Sequence, residues 1–173
     1  KKINQKMLNN SLALGIDLGT SGVRIAIINS KKKILFTSSK IYSKGLEISE
    51  DWINCLKTLI EEIPKGIKED LVSCSVAGTS GTLLACKRNG EPIGKALPYF
   101  LSFSEYSCEI EKLFTKECAG SSISGSVGRA LRLFSLYGKE IIIRHQADWI
   151  SGWLINNWEY GEEGNNIRMG WEI

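Results

Sequence analysis

Hydrophobic and polar residues alternate through the first forty residues in a way that predicts a sheet of antiparallel strands. Two apolar runs, Ala13 to Asp17 and Val23 to Asn29, flank the tight turn Gly19-Thr20-Ser21-Gly22. Strand-like runs joined by a short Gly-rich link are typical of a β-hairpin. A third run, Lys33 to Tyr42, follows a turn at Ser30 to Lys32. Three strands with short links predict an antiparallel meander.

The next segment changes to helical periodicity. Its apolar residues recur every three or four positions and predict one buried face; they are Trp52, Leu56, Leu59, Ile60 and Ile63. Ser49 followed by two acids is typical of a helix N-terminus, and Pro64 with Gly66 predicts the helix end. Leu71 to Ala77 is a strand-like run after this helix, so we expect a parallel partner of an earlier strand.

The second half of the chain alternates short strands with helices. An Asn-Gly turn at residues 89 and 90 separates strand-like runs at 82–86 and 93–98, and a further strand is expected at 141–143. The periodicity predicts helices over 105–115, 129–137 and 147–156 and loops over 119–128 and 159–166. The expected buried sides of the first and last of these helices are Tyr106, Ile110, Leu113 and Phe114, and Trp149, Ile150, Trp153 and Leu154. The loop at 119–128 suits either closure over a ligand or a link between helices.

Composition indicates a soluble globular chain with a core of useful size. The chain has 173 residues, of which 43% are hydrophobic and 24% charged. Its net charge of +3 is too weak and too scattered to indicate a nucleic-acid partner, and Lys31 to Lys33 fits a solvated turn. No apolar run is long enough to span a membrane. Residues 1–11 are polar and Asn-rich, which predicts a loose tail rather than a secretory signal.

Cysteine and histidine usage argues against a metal site built from these residues. The five cysteines are an odd number without CxxC spacing, and His145 is the only histidine. Reduced thiols in a cytoplasmic protein are the favoured interpretation. For His145, which lies between a strand-like run and a helix, a structural or surface role is favoured over catalysis.

Candidate chemistry is concentrated in the opening hairpin. Asp17 ends the first strand, and two hydroxyls and two glycines follow at once. Glycine lets backbone N–H groups approach an anion closely, and a carboxylate beside such a turn suits Mg²⁺ in the company of phosphate. An ordinary hairpin in which the Asp and Ser side chains stabilise the turn fits the same residues. The local pattern leaves both interpretations open.

A second Gly-Thr-Ser-Gly occurs at Gly78 to Gly81, again directly after a strand-like run. Ligands of open α/β sheets collect outside the carboxyl ends of the strands. The two hydroxyl-bearing turns are therefore expected to line one crevice, although Gly, Ser and Thr are common in turns of every kind.

These motifs together resemble a known family. Leu14-Gly-Ile-Asp-Leu-Gly-Thr-Ser-Gly-Val-Arg24 is similar to the first phosphate motif of the FGGY carbohydrate kinases, which belong to the actin/hexokinase/Hsp70 superfamily. Residues 77–92 resemble their substrate-side strand and hairpin, and His145-Gln-Ala-Asp-Trp-Ile-Ser151 resembles a later helix start. The combination of GTSGT with QADW is most similar to the D-ribulose kinase branch, once classed among xylulose kinases. The resemblance runs from residue 13 to about residue 171.

The resemblance implies an α/β, ribonuclease-H-like domain with a mixed sheet and flanking helices over residues 12–173. It implies a cytoplasmic kinase of two domains, in which the sugar binds mainly to this one and ATP mainly to the other. By the resemblance Asp17 helps to hold Mg²⁺ and approaches the reacting sugar hydroxyl, and Thr20 is a second catalytic candidate. The residues implied to face the ATP phosphates are Gly19, Thr20, Ser21 and Gly22. Those implied to contact the ketose, besides Asp17, are Thr79, Ser80 and Gly81.

The chain departs from the family pattern in three respects. Ala77 stands where related kinases often have an acidic or polar residue, and residues 98–103 lack the Asn, Asp or Arg that many members use to hold sugar hydroxyls. These differences predict that polar contacts to the sugar are sparse. Members of the family are also more than twice this long, and their general base and adenine-binding domain correspond to parts beyond residue 173. We therefore expect the isolated chain to be inactive.

Three functions follow as hypotheses. The first is ATP-dependent phosphorylation of a ketopentose of the D-ribulose or D-xylulose type, with the missing C-terminal domain or a dimer partner covering the exposed cleft face. The second is a truncated, non-catalytic kinase remnant that binds a sugar or a partner chain. The third is an actin-like ATPase of the chaperone or scaffold type, which shares the opening motif but neither the GTSGT…NGEP segment nor QADW.

Overall fold

The structure is a computed structural model that describes residues 11–171. The predicted loose tail, apart from its last residue, and the final two residues lie outside the described part. The chain divides into two compact units, the first formed by residues 11–46 and 50–77 and the second by residues 47–49 and 78–171. Both contain helices and strands, so the α/β class is confirmed.

The first unit is built on a four-stranded sheet in the order β3-β2-β1-β4. Strands β1 (Leu12–Leu18), β2 (Gly22–Asn29) and β3 (Ile34–Ile41) form the predicted antiparallel meander. Strand β4 (Leu71–Gly78) is hydrogen-bonded beside β1. The N–H of Leu12 donates to the carbonyl of Asp70, directly before β4, at 3.1 Å. The two strands therefore begin at the same end and run parallel, which makes the sheet mixed, as predicted.

One face of this sheet is buried because apolar residues occupy alternate positions of β1 and β2. The buried rows are Leu12, Leu14, Ile16 and Leu18 on β1 and Val23, Ile25 and Ile27 on β2. The helix α1 (Ser49–Glu62) supplies Trp52, Leu56 and Leu59, all fully buried. The thiol of Cys55 on the same helix lies 3.6 Å from the carbonyl of Ile41 at the end of β3. The predicted apolar face of α1 is thus confirmed.

The end of α1 differs in one detail from its prediction. The helix ends before Pro64, as expected, but Gly66 does not help to end it. Gly66 lies inside a one-turn helix, α2 (Lys65–Lys68), that begins directly after Pro64. Proline has no N–H and a fixed φ close to the helical value, so it suits the start of a helix as well as the end of one.

The second unit has a two-stranded antiparallel sheet of β5 (Leu83–Cys86) and β6 (Ile142–His145). The second arm of the predicted hairpin, residues 93–98, does not form a strand. Leu97 in this segment forms an isolated bridge with Leu83, and Pro92, directly before the segment, forms one with Cys86. Gly94, which lies between the two bridges, has a φ of +68°, a left-handed conformation that interrupts an extended strand. The core around β5 contains Leu83, Ala85, Ala130, Leu133 and Ile141.

Four helices and two 3-10 turns complete the second unit. The helices are α3 (Ser107–Leu113), α4 (Ser126–Tyr137), α5 (Gln146–Ile155) and α6 (Glu163–Ile167). The 3-10 turns are Ser104–Tyr106, directly before α3, and Ala119–Ser121, in the segment before α4.

Several boundaries and burial predictions in this unit are wrong. Helix α4 begins three residues earlier than expected, so the segment from Ser126 to Gly128 is buried helix and not loop. Helix α6 occupies part of the expected loop at 159–166, where the Glu162 carboxylate accepts a hydrogen bond from the N–H of Asn165 and caps it. Leu113 and Leu154 are 61% and 38% exposed, because both lie in the last turn of their helices, beyond the packed stretch.

Candidate functional site

An open groove of about 870 Å³ lies over one face of the sheet of the first unit. Small residues of three neighbouring strands line it, namely Gly15, Ala26 and Ala77. The hydroxyl-bearing residues Thr37, Ser39 and Ser75 and the charged pair of Asp17 and Arg24 complete the lining. Such a surface combines room for a ligand with a limited number of polar groups.

Asp17 reaches this groove because of strand alternation. Its neighbours Ile16 and Leu18 are buried, so its carboxylate lies on the opposite, open face of β1. Arg24 stands directly opposite on β2, with its Nε 3.4 Å from Oδ2 of Asp17. The two side chains are 55% and 69% exposed, and a pair this exposed contributes little to stability. The carboxylate therefore remains accessible to a ligand.

The first Gly-Thr-Ser-Gly turn closes the hairpin after β1. The N–H of Gly19 donates to the carbonyl of Gly22 at 2.9 Å, and the N–H of Tyr42 donates to the carbonyl of Ser21 at 2.9 Å. A Cβ on Gly22 would lie 2.3 Å from the carbonyl oxygen of Lys40 on β3, so only glycine fits there. Gly19 and Gly22 therefore have structural roles in the hairpin. Thr20 and Ser21 lie at its exposed tip, and contact of these four residues with a nucleotide stays a prediction.

The close approach at Gly22 gives a first testable prediction. We expect Gly22→Ala to lower the free energy of unfolding by about 1–3 kcal/mol, because the new methyl group overpacks against the backbone of β3. Gly66→Ala is the matched control. Its added methyl would meet nothing within 4 Å, and alanine favours a helix by up to about 1 kcal/mol over glycine. Urea unfolding of both variants measures the difference. Equal stability of Gly22→Ala and the parent chain would contradict the assigned role.

The second Gly-Thr-Ser-Gly turn is held from within the second unit. Gln146 accepts hydrogen bonds at its Oε1 from the backbone N–H of Thr79 at 3.0 Å and from the Thr79 hydroxyl at 2.7 Å. The hydroxyl of Thr82 lies 2.7 Å from that of Thr79. Gly81 has a φ of +88°, a left-handed conformation that favours glycine. Thr79 and Gly81 thus shape the turn, and the side chain of Ser80 remains exposed.

A buried arginine supports the same turn, and the sequence analysis did not identify it as part of the site. Arg129, only 3% exposed, donates from Nε to the carbonyl of Gly81 at 2.7 Å. Its Nη1 lies within 3.0 Å of three further carbonyls, those of Tyr99, Leu101 and Ser124. Burial lowers the pKa of this guanidinium. The sequence signal is its position four residues before Leu133 on one face of α4, where a charged residue interrupts an apolar stripe.

His145 is buried in the second unit, which supports a structural role over a surface one. It is 4% exposed, and neither ring nitrogen has a hydrogen-bond partner within residues 11–171. Burial lowers its pKa to about 4, and the positive charges of Arg129 and Arg168 act in the same direction. The Asn165 carbonyl and Glu162 act in the opposite direction, although the carbonyl does not reach hydrogen-bonding geometry. The imidazole is therefore neutral at pH 7.

The burial of neutral His145 predicts a pH-dependent loss of stability. In the unfolded chain the imidazole takes up a proton near pH 6.5, whereas in the folded chain it does so only near pH 4. The free energy of unfolding should therefore fall by about 3 kcal/mol as the pH drops through this window. Chemical unfolding at a series of pH values, compared with His145→Gln, measures this contribution.

The comparison with His145→Gln also removes the opposing effect of Asp148. Burial raises the pKa of this carboxyl, which accepts hydrogen bonds from the Glu162 N–H and the Asn165 amide. Protonation of Asp148 on acidification therefore favours the folded state, with the sign opposite to that of His145. A pH profile that is the same in both proteins would refute the assignment to His145.

Other kinds of site have no support in the described part of the chain. No helix between residues 11 and 171 is long and apolar enough to cross a membrane. Within the same residues, no three His, Cys, Asp or Glu side chains are grouped as a metal site. The five cysteines, all within these residues, are free thiols.

Comparison with solved structures identifies the class of protein that has this fold. The xylulose kinase from Bifidobacterium adolescentis matches 88% of this chain with a TM-score of 0.70 at 16% sequence identity. The xylulose kinase from Rhodospirillum rubrum matches 82% with a TM-score of 0.68 at 12% identity. The Plasmodium falciparum glycerol kinase solved with ADP matches 82% with a TM-score of 0.65 at 15% identity. No protein-family model matches the chain.

The fold is therefore that of sugar kinases, and the resemblance seen in the sequence is confirmed at this level. The chain spans only about a third of the length of the structures that it matches, 36%, 33% and 34% in the order given.

Proposed function

We propose that this chain is the sugar-binding part of an FGGY-type carbohydrate kinase with a ribonuclease-H-like fold. The reaction is transfer of the γ-phosphoryl group of ATP to a hydroxyl of a ketopentose of the D-ribulose or D-xylulose type. The observation that carries the proposal is the position of Asp17. It is an accessible carboxylate at the end of β1, beside a hydroxyl-bearing turn, in a fold shared with xylulose and glycerol kinases.

The donor set at Asp17 fits Mg²⁺. This ion is usually held by one or two carboxylates together with phosphate oxygens and water, so one exposed carboxylate is sufficient from this half of the enzyme. When bound, the ion neutralises charge on the transferring phosphoryl group. Asp17 would hold the ion and orient the reacting sugar hydroxyl. The exposed side chains of Thr20 and Ser21 offer hydroxyl donors to phosphate oxygens, with Gly19 and Gly22 keeping the turn tight.

Ser80 is the proposed sugar contact in the second turn. Its hydroxyl is exposed, while its neighbours are fixed by Gln146 on one side and Arg129 on the other. A donor held in place before the ligand arrives loses less conformational entropy on binding. The proposal assigns Thr79 and Gly81 to the same contact, mainly by shaping the backbone around Ser80.

The remainder of the reaction is assigned to a second part of the kinase. Sugar kinases of known structure that match this chain are about three times its length. We place adenine binding and the general base in that second part, and the isolated chain is expected to bind sugar without turnover. The structures reported above are all kinases, so the comparisons give no support to a non-catalytic sugar- or partner-binding remnant.

Sugar binding by the chain itself tests the proposal. We expect titration calorimetry to detect binding of D-ribulose or D-xylulose, and Ser80→Ala to weaken it about tenfold, which corresponds to one lost hydrogen bond. Ser135→Ala, an exposed serine on α4, is the matched control and should bind as the parent chain does. The proposal fails if neither sugar binds, and the assignment of Ser80 fails if both variants bind equally well.

A further inference from the structure

Thr82 directly follows the second Gly-Thr-Ser-Gly turn and is fully buried. Its N–H donates to the carbonyl of Thr79 at 3.3 Å, and the hydroxyl groups of the same two residues lie 2.7 Å apart. Ser80 and Gly81 are the two residues between them. The turn that presents Ser80 is therefore closed twice, once through the backbone and once through the side chains.

On one side, Thr82 is connected to helix α5. Gln146, the first residue of this helix, donates from its N–H to the carbonyl of Thr82 at 3.1 Å. Its side-chain Oε1 accepts the backbone N–H and the hydroxyl of Thr79. Both ends of the turn, Thr79 and Thr82, are thus bonded to the same residue of α5, which forms the first support of the turn.

On the other side, Thr82 is connected to Arg129 through Tyr99. The N–H of Tyr99 donates to the Thr82 hydroxyl at 3.2 Å, and the carbonyl of Tyr99 accepts from Nη1 of Arg129 at 2.8 Å. Nε of the same guanidinium donates to the carbonyl of Gly81 at 2.7 Å. These contacts form a closed ring that begins and ends at the turn, and Arg129 is its second support.

Thr82 is the residue that the two supports share. Its hydroxyl contacts Thr79, which Gln146 holds, and Tyr99, which Arg129 holds. Loss of this one hydroxyl therefore loosens the turn from both sides. Every residue of this network belongs to the second unit, and Thr82, Gln146 and Arg129 are at most 3% exposed. The network is thus built from contacts inside that unit.

We propose that Thr82 is a positioning residue for the sugar that binds at Ser80. The proposal rests on the function proposed above, in which the Ser80 hydroxyl is a sugar contact. Thr82 acts without touching the sugar, because its side chain is buried and bonded within the network. It holds the turn in one geometry before the ligand arrives, so less conformational entropy is lost on binding.

Titration calorimetry of the chain with D-ribulose or D-xylulose tests this role. We expect Thr82→Val, which replaces the hydroxyl with a methyl group, to weaken sugar binding about tenfold. Thr82→Ser keeps the hydroxyl and should restore most of the affinity. Ile141→Val is the matched control, because it removes a methylene group from the core around β5 and should leave sugar binding unchanged.

The possible results separate this proposal from the proposed function. Equal affinities of Thr82→Val and the parent chain would overturn the role of Thr82 and leave sugar binding intact. An equal loss in Thr82→Ser and Thr82→Val would also overturn it, because only one of them lacks the hydroxyl. If the parent chain binds neither sugar, the proposed function is refuted, and the role of Thr82 in sugar binding with it.

Hydrogen exchange in the absence of sugar tests the connection between the two supports. In Thr82→Val we expect faster exchange of the amides of both Thr79 and Tyr99, one from each side of the network. Faster exchange at Tyr99 alone would show that the supports act independently and would refute the shared role. This readout does not depend on sugar binding or on kinase activity.

Kinetics of a polypeptide that carries both halves of the proposed kinase distinguish positioning from catalysis. We expect Thr82→Val to raise KM for the sugar about tenfold with little change in kcat, because a looser turn weakens binding of the substrate and of the transition state alike. A fall in kcat at an unchanged KM would contradict a positioning role.

Discussion

Asp17→Ala is expected to lower sugar-stimulated ATP consumption by about 10²- to 10³-fold in a polypeptide that carries both halves of the proposed kinase. The removal of one preorganised polar or charged group from a site where charge develops in the transition state typically lowers the rate by this factor. Phosphoryl transfer depends mainly on positioning and on charge neutralisation, and this carboxylate is assigned to both. A coupled assay of ADP release, with and without D-ribulose or D-xylulose, measures the effect.

The activity assay tests the role of Asp17 only if the Asp17→Ala variant stays folded. Both Asp17 and its partner Arg24 are more than half exposed, so the free energy of unfolding should change by less than about 0.5 kcal/mol. Asp70→Ala removes another exposed carboxylate of the same unit and should retain full activity. Sugar-stimulated turnover that survives Asp17→Ala would refute the role given to the opening motif.

Arg129→Ala should cause the largest loss of stability among the substitutions of polar residues considered above, about 3–5 kcal/mol, because it breaks a buried hydrogen-bond network. The guanidinium is buried and bonded to the carbonyls of Gly81, Tyr99, Leu101 and Ser124. Its removal leaves several carbonyls without a donor, each at a cost of about 1–3 kcal/mol. Urea unfolding followed by circular dichroism measures the change.

Two further variants separate the causes of this effect. Arg129→Lys keeps the charge but not the planar fork, so it should recover only part of the stability. Arg132→Ala, one turn further along α4 and only half-buried, should stay within about 1 kcal/mol of the parent chain. Full recovery in Arg129→Lys would show that charge, and not the bond geometry, is what stabilises this region.

The first unit could be predicted closely because its signals are local. Alternation over β1 and β2 follows directly from one buried face, and the apolar spacing of α1 follows from helical geometry. The second unit was predicted less well. The buried start of α4 consists of Ser126, Val127 and Gly128, a composition that is also typical of loops. Only its packing distinguishes the two, and packing is not visible in the sequence.

In the candidate site, too, features set by local sequence could be predicted and features set by distant contacts could not. The accessible end of β1, with Asp17 in it, could be inferred from the chain itself. The reason for glycine at position 22 could not, because it depends on the carbonyl of Lys40 on another strand. The role of Arg129 depends in the same way on carbonyls up to 48 residues away. Contacts between distant segments therefore set the limit of prediction from the sequence.

The hydrogen bonds of Gln146 constrain how the sequence of this protein can evolve. They tie the GTSGT segment to the QADW segment across 67 positions of sequence. A replacement of Gln146 leaves the Thr79 amide without its acceptor, and a replacement of Thr79 leaves the glutamine carbonyl with one donor fewer. We therefore expect the two motifs to be inherited as a pair, so that a change in one persists only with a compensating change in the other.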